Sequence, residues 1–263
     1  MRCDRDIRGL KALAATLWLG VLGLIVLPAG IVLALDLPSP GGWQTEIRPV
    51  DQHLAIDGSV VVTSLGNGST NLNTTFAPFG DINASGFRMR VTGSYSWYEF
   101  LASASPRTIG SGHTWEAGLQ AGYQIALGRL NVIGLVGPTV AESESEGVNS
   151  ARWGAKTDIS VFALPSDLTM FYGSVSYSTI EDAVQLQSKL GVKLLGNAYI
   201  GPEATFSWRN TLPSFDNVAV MQIGGHISAM TLGPMQLGVS AGWAQQEGLG
   251  HGYYGGFNFY WSF

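Results

Sequence analysis

Charged and amide side chains occupy alternate positions in several segments of this sequence. From Gly86 onward, for example, Arg88 and Arg90 alternate with the apolar Phe87 and Met89. The same parity selects eight candidate site residues: Arg88, Arg90, Glu116, Gln124, Lys156, Asp158, Lys189 and Glu203. Side chains of these types can pair with each other, or they can exchange hydrogen bonds with a polar ligand. A period of two places them on one face of β-strands, so the strands have to be established first.

The C-terminus shows the opposite, apolar face of such a strand. Aromatic rings stand at every second position of the last seven residues, at Phe257, Phe259, Trp261 and Phe263. A soluble protein has little reason to end on four aromatic rings along one face, whereas a strand that faces lipid hydrocarbon does. The C-terminus therefore predicts the closing strand of an outer-membrane barrel.

The composition agrees with a barrel. Charged residues make up 13% of the chain, about half of the roughly 25% that is usual in soluble domains. No second long apolar run follows the N-terminal one, which excludes a helical membrane protein. Alternation from Leu54 onward predicts twelve strands, at about 54–64, 69–79, 86–98, 113–126, 129–141, 151–163, 168–179, 184–194, 197–208, 217–229, 235–245 and 252–263.

The connections between these segments fall into two alternating sets. One set is tight and includes Leu127-Gly128 and Leu195-Gly196, and the other is longer or more polar and includes 99–112 and 142–147. Short periplasmic turns and longer external loops are typical of outer-membrane barrels. We therefore expect an all-β fold, a transmembrane antiparallel up-and-down β-barrel of about 12 strands with both of its ends on the periplasmic side.

The N-terminus predicts export. Four basic residues precede an apolar stretch from about Ala12 to Leu35, and Val32 and Ala34 have the spacing of a signal cleavage site. We expect a cleaved signal peptide at 1–34, a periplasmic segment at 35–53 and a barrel at 54–263 in the outer membrane of a Gram-negative bacterium. An uncleaved anchor is the alternative, because the apolar stretch is longer than most signal-peptide cores.

Several kinds of chemistry lack support in the sequence. The single cysteine, Cys3, lies within the predicted signal peptide, so neither a disulfide nor a zinc cluster nor a thiol nucleophile is predicted. A net charge of −5 argues against nucleic acid as a partner. No HExxH motif occurs, and His226 is predicted to be a lumen-facing polar group rather than a catalytic base. We expect no catalytic residue, no metal and no cofactor.

The polar alternate positions of the strands would place side chains of both charges on the lumen wall. In one interpretation acids and bases pair with each other and stiffen the wall, because unpaired buried charges are costly. In the other, Arg, Lys, Gln and Tyr side chains line a track for a polar chain such as a glycan. In the segments at 129–141 and 168–179 apolar residues fall on both faces, which leaves a bulge or shifted boundaries open there.

Short motifs in a characteristic order point to a family. They are Ala77-Pro78-Phe79-Gly80-Asp81, Ser85-Gly86-Phe87-Arg88-Met89-Arg90, Ala121-Gly122-Tyr123-Gln124, Leu127-Gly128-Arg129-Leu130, Trp153-Gly154-Ala155-Lys156, Ser176-Tyr177-Ser178-Thr179 and Ile200-Gly201-Pro202-Glu203. In these motifs the chain resembles the BcsS-type cellulose biosynthesis proteins of Gram-negative bacteria, from about residue 54 to the C-terminus. The resemblance implies a part in cellulose production or export at the outer membrane, and it implies no catalytic residues.

Four hypotheses follow. The first is a non-enzymatic accessory barrel of a cellulose secretion system, whose partners are outer-membrane lipid, cellulose and other subunits of that system. The second is a general small-solute channel with a conductance that depends on Lys156 and Lys189. The third is an outer-membrane hydrolase, which would need a cluster of serine, histidine and acid that the sequence does not display. The fourth is a soluble β-sandwich, which explains the terminal aromatic rings poorly.

Overall fold

The computed structural model describes residues 52–104, 107–145, 148–209 and 218–263. The predicted signal peptide at 1–34 and all but the last two residues of the predicted segment 35–53 lie outside the described residues. No helix in the described part of the chain is long and apolar enough to cross a membrane.

The described residues form twelve strands. They are β1 (Leu54–Thr63), β2 (Gly68–Phe76), β3 (Gly86–Ala104), β4 (Arg107–Leu127), β5 (Leu130–Ser145), β6 (Val148–Ser166), β7 (Thr169–Ser178), β8 (Ala183–Lys193), β9 (Tyr199–Arg209), β10 (Val218–Leu232), β11 (Met235–Gln246) and β12 (Gly250–Ser262). Each strand pairs antiparallel with the strands that precede and follow it, and β1 pairs with β12 to close the barrel. The predicted architecture and strand number are confirmed.

The closing pair joins the two ends of the described barrel. Leu54 and Phe263 exchange two backbone hydrogen bonds, with N–O distances of 3.0 and 2.9 Å. Further along, Gly58 stands opposite Phe259, and a Cβ at Gly58 would lie 2.6 Å from the Phe259 ring. The terminal aromatic strand therefore packs on a strand that leaves room for its rings, and full closure removes the free edges of the sheet.

Aromatic rings form two levels on the outer face of the wall. In three strands an upper and a lower ring are separated by eight residues: Tyr95 and Phe87 in β3, Trp115 and Tyr123 in β4, Tyr253 and Trp261 in β12. The pairing places Tyr95 opposite Trp115 and Phe87 opposite Tyr123, so the levels continue between strands. Eight residues span about 26 Å along a strand. Exposed apolar side chains, such as Val91 and Leu119, lie between the two levels.

The two ends of the barrel differ in their connections. At the short-turn end, Gly128, Gly196 and Gly233 adopt positive φ angles in tight turns, a conformation that glycine adopts without steric cost. We call the opposite end of the barrel the extended end. There β3 continues to Ala104 and β4 begins at Arg107, and Glu99 pairs with Ser111. The predicted long loop at 99–112 is therefore wrong, because its glycine and serine residues lie in a paired hairpin.

The acidic segment is also mainly strand rather than loop. Glu142, Ser143 and Glu144 belong to β5 and pair with residues 149–151 of β6. Alternation puts Ser143 inside, where it is buried, and leaves the carboxylate of Glu144 46% exposed on the outer face. The prediction of a loop at 142–147 is wrong for its strand part, and 146–147 lie outside the described residues.

Candidate functional site

The lumen encloses a polar cavity of about 470 Å³. Five of the eight predicted site residues line it: Arg90, Lys156, Asp158, Lys189 and Glu203. The other three, Arg88, Glu116 and Gln124, belong to the surrounding wall and to the short-turn end. Hydroxyl and amide side chains such as Ser174, Gln187 and Asn258 complete the lining.

Lys156 on β6 and Glu116 on β4 form an ion pair across the strand between them. The distance from Lys156 Nζ to Glu116 Oε1 is 2.6 Å, and both side chains are largely buried. On β5 the positions paired with these residues are Gly137 and Ala141. Because these residues are small, they leave room for the two long side chains to meet above β5.

A second ion pair joins adjacent strands on the other side of the cavity. Lys189 Nζ lies 3.2 Å from Glu203 Oε2, and Glu203 is nearly fully buried. The hydroxyl of Tyr254 on β12 donates to Glu203 Oε1 at 2.8 Å. A tyrosine three strands away therefore shares this carboxylate and ties β12 to β9.

The remaining charges of the cavity have neutral partners. Arg90 Nε donates to Thr75 Oγ1 at 2.9 Å, and Asn73 donates to Asp57 Oδ2 at 2.7 Å. Gln120 donates to Asp158. Among the described lining residues three are basic (Arg90, Lys156, Lys189) and three are acidic (Asp57, Asp158, Glu203), so basic and acidic residues of the lining are equal in number.

The connection between β2 and β3 folds into the short-turn end of the lumen and forms its floor. We call residues 77–85 the floor segment. Ile82 is buried with Ala55 and Ala77, against Tyr260. The backbone N–H of Ile82 donates to the carbonyl of Gln52. The floor segment is thus connected to the chain that leads into β1.

Arg88 holds the floor segment in place. Its side chain is fully buried, and its Nη2 donates to the carbonyl oxygens of Asp81 at 3.0 Å, Ile82 at 3.1 Å and Ala84. Nε donates to Gln124 Oε1 at 3.0 Å. Arg88 was predicted to contact a ligand in the lumen, but its guanidinium is used to bind backbone carbonyls. Gln124 orients this arginine and borders a smaller cavity of about 140 Å³ above the floor.

Side chains close over the lumen at the extended end as well. Tyr98 and Phe100 on β3 pack with Val218 on β10, five strands away around the barrel. The Arg209 guanidinium lies 5.2 Å from the centre of the Tyr98 ring. Glu181 accepts a hydrogen bond from Ser143 at 2.9 Å and lies 4.0 Å from Arg209. We call these residues the upper cap.

The structure resolves the two strands of ambiguous orientation. Ile133 on β5 and Tyr172 on β7 line the cavity, so apolar groups do occur on both faces of these strands. β5 pairs with β6 from Leu130 to Ser145 without a register shift. No bulge is therefore needed to orient β5, whereas the pairing of β6 with β7 does shift its register between Ala163 and Ser166.

His226 is a structural polar group, as predicted. It is buried, its Nδ1 lies 2.9 Å from Ser228 Oγ and its Nε2 lies 3.0 Å from the carbonyl oxygen of Leu190. Gly201, which is paired with His226, leaves the space through which the imidazole reaches Leu190. Both ring nitrogens are engaged within the wall.

One pentapeptide of the described chain has the spacing of a hydrolase nucleophile motif. Gly238-Val239-Ser240-Ala241-Gly242 has the spacing of a Gly-x-Ser-x-Gly nucleophile motif, but it lies inside β11 and not at a strand-to-helix turn. Within the described part of the chain, no group of three or more His, Cys, Asp or Glu side chains is placed to hold a metal ion.

The family of this chain is identified by its match to a family model. The model of the cellulose biosynthesis protein BcsS matches residues 66–263, which is most of the chain. The chain belongs to the BcsS family. The resemblance predicted from the motifs is thereby confirmed. No curated protein matches the sequence.

Solved structures with a similar fold are bacterial barrels of low sequence identity. The KdgM porin is 9% identical and has a TM-score of 0.41, with 80% of this chain and 99% of that chain covered. LpxR from Salmonella typhimurium is 13% identical and has a TM-score of 0.47, with 80% and 100% covered. The β domain of the Bordetella autotransporter BrkA is 11% identical and has a TM-score of 0.45, with 81% and 100% covered.

Sequence reasoning missed several residues of the lumen. Asp57, Tyr172 and Tyr254 line the cavity, and Glu181 belongs to the upper cap. The first three stand at alternate positions of predicted strands, so a stricter use of parity would have found them. Glu181 stands in a short turn with a positive φ of 58°, and no periodic signal marks it.

Proposed function

We propose that this BcsS-family protein is a non-enzymatic outer-membrane barrel that supports bacterial cellulose biosynthesis or export. The family match over residues 66–263 is the observation that carries the proposal. The finer part of the proposal is contact with β-glucan, through the polar lumen or through the extended end of the barrel. The short-turn end would face the periplasm and the extended end would face the outside of the cell. The protein would reach the outer membrane by export with a cleaved signal peptide.

The outer face supports insertion into a membrane. Its exposed apolar side chains lie between two aromatic levels that are separated by about 26 Å along the strands. At a strand tilt of about 40° this length corresponds to a height of roughly 20 Å, which approaches the apolar band of about 25 Å that aromatic girdles flank in outer-membrane barrels. Because Tyr and Trp rings favour the interface between lipid and water, the two levels would mark the two membrane surfaces.

The lumen supports contact with an uncharged polar chain. Its three basic and three acidic lining residues balance each other in number. Hydroxyl, amide and tyrosine side chains offer donors and acceptors of the kind that bind sugar hydroxyl groups. The candidate contacts are Arg90, Lys156, Asp158, Lys189 and Glu203, with Glu116, Gln124 and Arg88 as the groups that position them or close the floor.

Both ends of the lumen are covered by side chains. The floor segment lies at one end and the upper cap at the other. A glucan chain that passed through the lumen would have to displace both. The proposal therefore includes an accessory role in which the glucan contacts the barrel without crossing it.

The proposal is tested by deletion and complementation. A strain that lacks the protein should export less cellulose, and the wild-type gene should restore it. A Lys156→Ala/Lys189→Ala variant should restore less, because two cavity cations and their ion pairs are lost. Lys193→Ala is the matched control, since Lys193 is exposed at the end of β8 and does not line the cavity. Unchanged cellulose in the deletion strain would contradict the proposal.

A small-solute channel is the second candidate, because the lumen contains a polar cavity of about 470 Å³. The covered ends favour a low conductance in planar bilayers. A high, steady conductance that depends on Lys156 and Lys189, together with normal cellulose in the deletion strain, would support the channel instead.

A further inference from the structure

A shallow groove runs over the outer face of the wall at the extended end. It is lined by Tyr95 and Trp97 on β3, Ile109, 110–112 and His113 on β4, and Glu144 on β5. We call this surface the aromatic groove. It is separate from the lumen, because these side chains point to the opposite face from Arg90 and Thr92, which line the cavity.

The strand pairing places the aromatic groove beyond the apolar belt. Tyr95 and Trp115 stand opposite each other at the upper aromatic level. Trp97 is paired with His113 and His113 with Glu144, two residues further toward the extended end. Carboxylates on the outer face are costly inside hydrocarbon. The position of Glu144 therefore indicates that the groove lies at or above the outer surface of a membrane.

The rings of the groove form a platform. The centroids of Tyr95 and Trp97 are 6.0 Å apart and their planes are inclined by 33°, and Tyr95 and His113 are 5.8 Å apart. The Trp97 ring lies over Gly68 of β2, where a Cβ would come within 2.1 Å of it. Gly68 thus allows the indole to lie on the backbone of β2.

Polar groups lie directly beside this platform. His113 Nε2 is 3.4 Å from Glu144 Oε2, and both side chains are more than 40% exposed. The run Gly110-Ser111-Gly112 leaves the backbone beside the rings without bulky side chains. The groove therefore combines apolar ring faces with exposed donors and acceptors, which an acyl chain could not use.

We propose that the aromatic groove binds a β-linked glucan chain outside the membrane. A β-glucan presents flat, C–H-bearing faces to stack on rings and carries hydroxyl groups at its edges to meet His113 and Glu144. The exposed imidazole of His113 and carboxylate of Glu144 stand side by side, so donors and acceptors lie within reach of neighbouring hydroxyl groups. This inference rests on the proposed function and names the surface at which the cellulose product would be held.

Binding of cellohexaose to the full chain in nanodiscs tests the proposal. Trp97→Ala should weaken binding about tenfold, the factor that corresponds to loss of roughly one stacking contact. Gly68→Ala should weaken it as well, because it displaces the indole without removing it, and Trp97→Phe should restore part of the affinity. Trp153→Ala is the matched control: its ring is 80% exposed on the outer face and lies outside the groove.

Three results would overturn the proposal. The first is equal affinity for cellohexaose in Trp97→Ala and the wild type, and the second is a loss of affinity in Trp153→Ala as large as that in Trp97→Ala. The third is that Trp97→Ala reduces the amount of folded protein in membranes but leaves its affinity unchanged, which would show that the ring contacts lipid. Cellulose export separates this proposal from the proposed function. If deletion lowers export and Trp97→Ala does not alter binding, the groove is refuted and the function stands. If binding depends on Trp97 and deletion leaves export normal, the groove stands and the function is refuted.

Discussion

The two faces of the barrel wall are built in different ways. On the outer face each side chain contacts the surrounding medium and its neighbours on the same and adjacent strands. On the inner face Lys156 contacts Glu116 two strands away, and Tyr254 reaches Glu203 three strands away. A change on the outer face should therefore act locally, whereas a change on the inner face should leave a distant partner unsatisfied.

The two faces also differ in how they treat charge. Exposed acids and bases lie near the two ends of the wall: Glu144 lies beyond the upper aromatic level, and Arg129 pairs with Asp167 at the short-turn end. The charges that line the cavity lie at mid-height, where each has a partner within hydrogen-bonding distance. The four predictions below test this difference, and they are ordered by the expected loss in the free energy of unfolding.

Arg88→Met should have the largest effect. Loss of the guanidinium leaves the buried carbonyls of the floor segment without a donor, and each unpaired group costs roughly 1 to 3 kcal/mol. We expect a loss of about 4 kcal/mol in urea unfolding from lipid vesicles. Arg90→Met is the control, because Arg90 bonds to a single side chain, that of Thr75. An equal loss in both variants would refute the role of Arg88 in the floor.

Val91→Arg should come next. Val91 is 59% exposed, midway between the two aromatic levels of β3, and an arginine at the bilayer midplane costs about 3 kcal/mol. Leu127→Arg is the control, since it lies at the short-turn end of β4, where the cost near the interface falls below about 1 kcal/mol. If Val91→Arg lowers the free energy of unfolding no more than Leu127→Arg does, the outer face contacts water and not lipid.

Lys189→Met should lower the free energy of unfolding by about 2 kcal/mol, because it leaves the buried Glu203 without its cation. The adjacent polar cavity should keep the loss below that of a fully buried ion pair. Adding Glu203→Gln should recover part of the loss, and the double-mutant cycle measures the coupling. Lys193→Met should be close to neutral. A coupling near zero would show that the inner charges act as independently as the outer side chains.

Arg209→Ala should have the smallest effect, about 1 kcal/mol. The guanidinium is partly exposed, its distance to Glu181 is 4.0 Å, and it also lies over the Tyr98 ring. Arg129→Ala is the control, since its partner Asp167 is largely exposed in a turn. A loss as large as that of Arg88→Met would mean that the upper cap stabilises the barrel as much as the floor does.

Parity predicted most of the wall correctly. The twelve strands, their closure through Phe257 to Phe263 and the inward orientation of Arg90, Lys156 and Glu203 follow from a period of two. The errors lie where local composition was used instead. The sequence predicts a long connection at 99–112, whereas in the structure Gly110 and Gly112 pair with Phe100 and Tyr98.

The role of Arg88 shows the limit of parity. Its position predicted an inward side chain, and the side chain is inward. Its partners are backbone carbonyls of residues 81–84, which reach it because the β2–β3 connection turns into the lumen. No periodic pattern records the path of a connection, so the arginine could not be assigned to the floor from sequence.

The sequence by itself determined the barrel and the face on which each strand residue stands, because alternation is a property of the single extended chain. Only the tertiary structure decided which charges meet, which end each connection covers and that Trp97, His113 and Glu144 form one surface. The physical reason is that these contacts join side chains from different strands. Their distances depend on register and closure, which the barrel sets as a whole.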